Sequence, residues 1–218
     1  MVHLHPKMVK SEVMHLLQCE RYTVVSHAHT LMHDLSLRLR DSKDVVMLVL
    51  SKGCYPQALA AVSERMKRDH DVCLQAMRSF RGSYTTPVAW MAHEVVGHRA
   101  FFVCVLDLMD KEVNSAQLVV SKLEADLGGP EAASQLLSRL DRARLSHARD
   151  MLKTAKRKRR KGCQDLCACT SRKIQGDRAL MLRVIRVHGF SLEHVQSKLR
   201  NDRELVLMAI EDSGNALM

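Results

Sequence analysis

The sequence predicts an all-α protein: an array of short helices with internal repeats, either solenoid-like or packed as an irregular helical bundle. Three observations lead there. A phrase that opens with Asp and closes with Gly, at the length of a short helix, recurs four times. Aromatic residues make up 4% of the chain against 13 Met, so Leu, Val, Met and Ala must build the core, which suits helices better than sheets. No alternating run bounded by hairpin turns is present.

In chain order, residues 11–39 read as one long helix or a bent pair, with Val13, Leu16, Leu17, Val24, Val25, Leu31 and Leu35 apolar. Residues 41–82 hold the first repeat pair, and Arg81 to Pro87 is a loop. Residues 87–127 read as two or three helices that include the apolar run Ala100–Leu106. Gly128-Gly-Pro130 is a break, and Thr86-Pro87 and Gly129-Pro130-Glu131 are helix starts. Residues 130–158 read as a long helix with a basic second half, and 161–171 as a loop or short turn. Residues 177–218 hold the second repeat pair. The expected segments are therefore 1–127, 128–171 and 172–218.

The four copies start at Asp41, Asp69, Asp177 and Asp202 and close at Gly53, Gly82, Gly189 and Gly214. Asp is a good N-cap because its carboxylate accepts orphan N–H groups of the first turn. Gly suits the C′ position, where the backbone turns left-handed. About three turns lie between them, too short to be stable without neighbours. The stretch after Gly189 also has helical spacing, with Ser191 as its cap and Leu192, Val195 and Leu199 apolar. One unit is then helix, Gly turn, helix and the next Asp.

Lys198 to Leu217, containing Asn-Asp-Arg-Glu-Leu-Val-Leu-Met-Ala-Ile-Glu-Asp-Ser-Gly-Asn-Ala-Leu, resembles a short repeat family known only as a domain of unknown function. Its pattern runs Asn-Asp-Arg-Glu-Val-Val-Leu-x-Ala-Val-x-x-x-Gly-x-Ala-Leu, and it occurs in protists, some intracellular bacteria and large viruses. The likeness is close at 198–217, fair at 177–197 and looser at 41–82. It implies an all-helical repeat array and offers no catalytic residue to carry over.

Charge is unevenly distributed. The chain carries a net +10, yet residues 142–203 alone hold 18 Lys/Arg and 5 Asp/Glu. The centre of this excess is Lys153 and the run Lys156, Arg157, Lys158, Arg159, Arg160 and Lys161, with Arg172 and Lys173 beyond it. Such a concentration attracts polyanions, whether RNA, DNA or acidic protein surfaces. Phe190 is the one aromatic residue there, which favours phosphate contact over base reading. No segment approaches the roughly 18 apolar residues of a membrane span. Seven Cys, mostly scattered singly, fit a reducing intracellular compartment such as cytoplasm, nucleus or organelle matrix.

Three clusters bear on catalysis or metal binding. His93-Glu-Val-Val-Gly-His98 is no zinc-protease motif: its histidines stand at i and i+5, about 140° apart on a helix, where one metal needs i and i+4. Glu94 and His98 share a face and are close enough in register to pair, on what reads as a polar patch of an otherwise packed helix. His29 and His33 are correctly spaced but supply two ligands only. Cys163, Cys167 and Cys169, beside the basic run, are weak candidates for a metal or a redox pair, with depressed thiol pKa values expected. No phosphate loop, nucleophile elbow or paired-Asp metal motif appears.

The expected function is non-enzymatic and without cofactor: a subunit or adaptor of a larger assembly that meets RNA or an acidic partner through residues 142–203. A protein-only scaffold, with 156–161 as a localisation signal, is the first alternative. A small metal or redox protein built on the cysteine cluster is the second.

Overall fold

The computed structural model describes residues 9–18, 32–51, 57–79, 85–126 and 139–214, and every regular element among them is helical. In order these are α1 (Lys10–Gln18), α2 (Leu37–Arg40), α3 (Lys43–Ser51), α4 (Gln57–Ala60), α5 (Glu64–Lys67), α6 (His70–Ser79), α7 (Thr85–Val88) and α8 (His93–Val96). There follow α9 (Arg99–Asp126), α10 (Arg139–Cys169), α11 (Arg172–Gln175), α12 (Arg178–Ile185), a 3₁₀ helix (Gly189–His194), α13 (Ser197–Arg200) and α14 (Arg203–Asp212).

The repeating element is a one-turn helix joined by two residues to a longer helix. It occurs at α2–α3, α5–α6, α8–α9, α11–α12 and α13–α14. A four-residue helix cannot persist alone, so each is held at both ends. Its third residue, Leu39, Met66, Val95, Ile174 or Leu199, packs into the core or against it. The carbonyl of that same residue accepts from the residue that opens the long helix: Ser42 at 3.1 Å, Asp69 at 3.1 Å, His98 at 3.1 Å, Asp177 at 2.9 Å and Asp202 at 3.0 Å. In the long helix the third, fourth, seventh and eighth residues after this joint form the apolar stripe. They are Val45, Val46, Val49 and Leu50 in the first unit, and Leu180, Met181, Val184 and Ile185 in the fourth.

Successive units are tied by a ladder. The N–H of Ser63 donates to the Arg40 carbonyl (3.4 Å), that of Ala92 to Lys67 (3.2 Å) and that of Gln196 to Gln175 (3.0 Å). Between the third and fourth units two hydroxyls make the rung: Thr170 Oγ1 donates to the Val96 carbonyl (3.2 Å) and Ser171 Oγ to that of Gly97 (3.3 Å). The array is thus continuous across an inserted helical pair, made by the far part of α9, which runs on beyond its own unit, and by α10. One core runs from Val13 to Ala209 and draws on all three segments of the sequence. The inserted helices add a small cluster of their own: Val113, Val120, Ala148 and Leu152.

Several expectations need correction. Asp41 does not cap α3. It is the C-cap of α2, the joint residue is Ser42, and the Asp41 carboxylate instead takes Arg65 at 3.0 Å. Asp69, Asp177 and Asp202 do cap their helices through side-chain oxygens. Neither Gly189 nor Gly214 is left-handed. Gly189 is required for a different reason: a Cβ there would meet the Ala209 carbonyl oxygen at 2.5 Å. The stretch after it is a 3₁₀ helix, a break and a single turn, and Ser191 lies buried inside it rather than capping it. Residues 161–171 are no loop, because α10 runs on to Cys169. Gly53, Gly82, His27, His29 and the 128–130 break lie outside the described residues.

Candidate polyanion-binding face

α10 continues through Gly162 because its apolar positions keep helical register on both sides. Leu145, Ala148 and Leu152 precede that glycine and Cys163, Leu166 and Cys167 follow it, all buried. The basic run therefore sits on a rigid helix, where 3.6 residues per turn divide it between two environments.

Three of its cations are structural. Lys158 pairs with Glu112 at 3.3 Å and Arg159 with Asp110 at 2.9 Å, both on α9, while Arg160 reaches Asp212 at the end of α14 at 2.8 Å. Asp110 also takes Arg183 of α12 at 2.6 Å, and Asp212 also accepts the Gly189 N–H at 2.9 Å. Lys158 and Arg159 tie the inserted helices to each other, and the Arg183–Asp110 and Arg160–Asp212 pairs fasten them to the fourth and fifth units. Asp110 and Asp212 escaped the sequence reading, since nothing local marks an isolated carboxylate as a counter-ion for a helix 50 residues away.

The other three are exposed. Lys156, Arg157 and Lys161 have no ion pair among the described residues, and Lys153, one turn from Arg157, holds Asp150 only loosely at 3.4 Å. Lys153, Arg157 and Lys161 stand at i, i+4 and i+8, on one side of α10. Arg172 and Lys173 on α11 are exposed and likewise without a carboxylate among the described residues. Phe190 is 41% exposed and lies edge-on to His188 at 5.8 Å. The His188 pKa is lowered by burial and, second, by the nearby Arg160.

The cysteine cluster is not a thiolate site. Cys163 and Cys167 face the core, and burial raises the Cys163 pKa to about 12 and lifts that of Cys167 too, the reverse of the depression expected from neighbouring cations. Cys169 is exposed, its pKa also raised by partial burial. Among the described residues no group of three or more His, Cys, Asp or Glu side chains is placed to hold a metal ion. Glu94 turns to Arg68 at 3.5 Å rather than to His98, whose ring meets that of His70 at 5.0 Å. No described helix is long and apolar enough to cross a membrane.

Fold and site together define an all-α array of stacked helical units that carries a basic inserted helix pair. Residues 177–218, which begin at the joint of the fourth unit and take in the fifth, match the model of a family described as a domain of unknown function (DUF4116). No curated protein and no solved structure matches the chain.

Proposed function

We propose that this chain is a non-enzymatic helical-repeat subunit or adaptor that attaches to RNA through phosphate contacts of its exposed cations Lys156, Arg157, Lys161, Arg172 and Lys173. One observation carries the reading: after the fold has paired Lys158, Arg159 and Arg160 internally, these five cations stay in solvent with no carboxylate beside them among the described residues. Unneutralised cations on a rigid helix release counter-ions from a phosphate backbone without ordering a tail. Exposed Phe190 adds one stacking surface at most, so the binding is weakly sequence-dependent.

The test is binding of an unstructured single-stranded RNA across a salt series. Lys156→Ala, Arg157→Ala and Lys161→Ala combined should cost at least about tenfold in affinity and flatten the log–log salt slope by about 2 units, at roughly 0.7 per lost contact. Unchanged affinity in a triple variant that stays folded rejects the proposal.

A second reading, protein-only scaffolding, rests on exposed apolar side chains of the inserted pair. Leu118, Val119 and Met151 are 69%, 51% and 56% exposed. Loss of a protein partner on changing these three to Ser, with RNA binding intact, would favour it.

A further inference from the structure

The ladder has a charged edge as well as a backbone one. The residue after each joint reaches the opening turn of the next unit: Lys43 to Asp69 (2.9 Å) and Asp71 (2.6 Å), Arg99 to Asp177 (2.7 Å), Arg178 to Asp202 (2.7 Å) and Glu204 (2.5 Å). α1 holds the same place before the first unit, since Lys10 at its start takes Asp44 at 2.5 Å. The second rung substitutes a pair of imidazoles, His70 against His98.

In the fifth unit the corresponding residue is Arg203, which is exposed and has no carboxylate from a following unit among the described residues. The apolar stripe behind it is open too. The eighth residue after the joint is 1% exposed at Leu50, 0% at Met77, 3% at Leu106 and 0% at Ile185, but 37% at Ile210. Val206 is half-buried where Val46, Cys73, Phe102 and Met181 are buried, and Leu207 beside it is 46% exposed. A groove that begins at the Arg178–Asp202 rung runs beside this face, past Arg203, Glu204, Leu207 and Glu211.

We infer that this face is a docking surface for a further unit of the same repeat, one that presents a carboxylate at its helix N-cap to Arg203 and an apolar stripe to Val206, Leu207 and Ile210. The occupant follows from continuity with the interfaces already in the array. The first, third and fourth units each offer a cation to a carboxylate in the opening turn of the next unit, and α3 against α6 and α12 against α14 show how the stripe of one unit meets that of the next. α1 already lies against α3 at the opposite end, with Val13 buried, so a second copy of this chain offers no matching head.

The experiment appends a copy of His194–Gly214 after Met218 of the full chain, which keeps the 25-residue spacing of Asp177 and Asp202. Docking should raise Tm by about 4 °C or more and protect the added helix from proteolysis. Arg203→Glu should remove the gain in the extended protein while leaving the Tm of the parent chain in place. Changing the added unit's cap from Asp to Asn in that background, which keeps a capping acceptor and removes the repulsion with Glu at 203, should recover part of the gain. An added segment that is digested like a tail, or a gain indifferent to Arg203→Glu, overturns the inference. So does concentration-dependent dimerisation of the parent chain abolished by Arg203→Glu, which would give the face to a second copy.

Discussion

Arg178 donates from Nε to Asp202 Oδ2 at 2.7 Å, while Oδ1 of the same carboxylate accepts the N–H groups of Glu204 and Leu205 at 3.0 and 3.3 Å. One side chain thus starts a helix and joins it to the previous unit. The Asp202 pKa is lowered by Arg178 first and by the Leu205 N–H next. At Asp177 burial opposes ionisation, but Arg99 and the Leu180 N–H still bring the pKa down.

Acid should therefore loosen the array. A carboxylate whose folded pKa lies below its unfolded value contributes stability that is present above the unfolded pKa, about 4, and is lost as pH falls through the folded one. Tm should be insensitive to these groups between pH 5 and 7, a window chosen about one unit or more above that value, and fall below pH 4. Asp202→Asn and Asp177→Asn together, which keep a capping side chain, should flatten the acid limb; an unchanged limb would refute the assignment.

The basic run should divide by role. Lys158→Ala, Arg159→Ala and Arg160→Ala combined leave Glu112, Asp110 and Asp212 without these partners and should lower Tm, whereas Lys156→Ala, Arg157→Ala and Lys161→Ala should not. Thermal melts monitored by circular dichroism distinguish the two triples, and equal effects would contradict the pairing.

Glycine substitutions separate close approach from backbone freedom. Gly189→Ala forces a Cβ against the Ala209 backbone and should cost about 1–3 kcal/mol. Gly214→Ala meets nothing within 4 Å and should lie within about 0.5 kcal/mol of the parent. Urea denaturation measures both, and a reversed order would show that Gly189 is not needed for packing.

His98 occupies the joint that Asp fills in three other units. His98→Asp should add an acceptor for the first N–H groups of α9 and stabilise by about 0.5–1 kcal/mol. A loss of stability in denaturant unfolding would mean that the ring packing of His98 against His70, itself edge-on to Phe101, matters more than the cap.

Thiol reactivity should follow burial. At pH 8 an alkylating reagent should modify exposed Cys104 and Cys169 and spare Cys73, Cys163 and Cys167 until the chain unfolds; burial raises Cys73, like Cys163, to about 12. Peptide mass spectrometry reads the pattern directly. Rapid labelling of Cys163 in the native protein would contradict its core position.

The repeat is legible where an Asp stands at the joint or next to it, and invisible at His98, where none does. Asp69, Asp177 and Asp202 cap as their chemistry demands. The first unit was read one residue early because Asp41 looks like a better cap than Ser42, and its carboxylate is drawn to Ser63 and Arg65 in the next unit instead. The unit at His98 went unseen because its marker is Val95 three residues earlier, an apolar residue like dozens of others. The sequence suggests a helix ending at 158 and a loop over 161–171, because Gly162 carries no sign of the cysteine and leucine packing that carries α10 past it. The exposed cations were visible in composition, but which of them stay unpaired depends on Asp110 and Asp212, distant residues that only the fold brings near.

The inserted pair α9–α10 sets the order in which the molecule must assemble. Every other rung closes over about 25 residues, but the one formed by Val96 with Thr170 spans 74. Chain closure over that length is slow unless something draws the ends together first. Zipping of α9 against α10 from their far ends does this, delivering Thr170 to Val96 as a nearly local event. The two halves of the array should gain structure independently, and their union should wait on the helical pair, so that destabilising Val113, Val120, Ala148 and Leu152 slows the final folding phase more than it speeds unfolding.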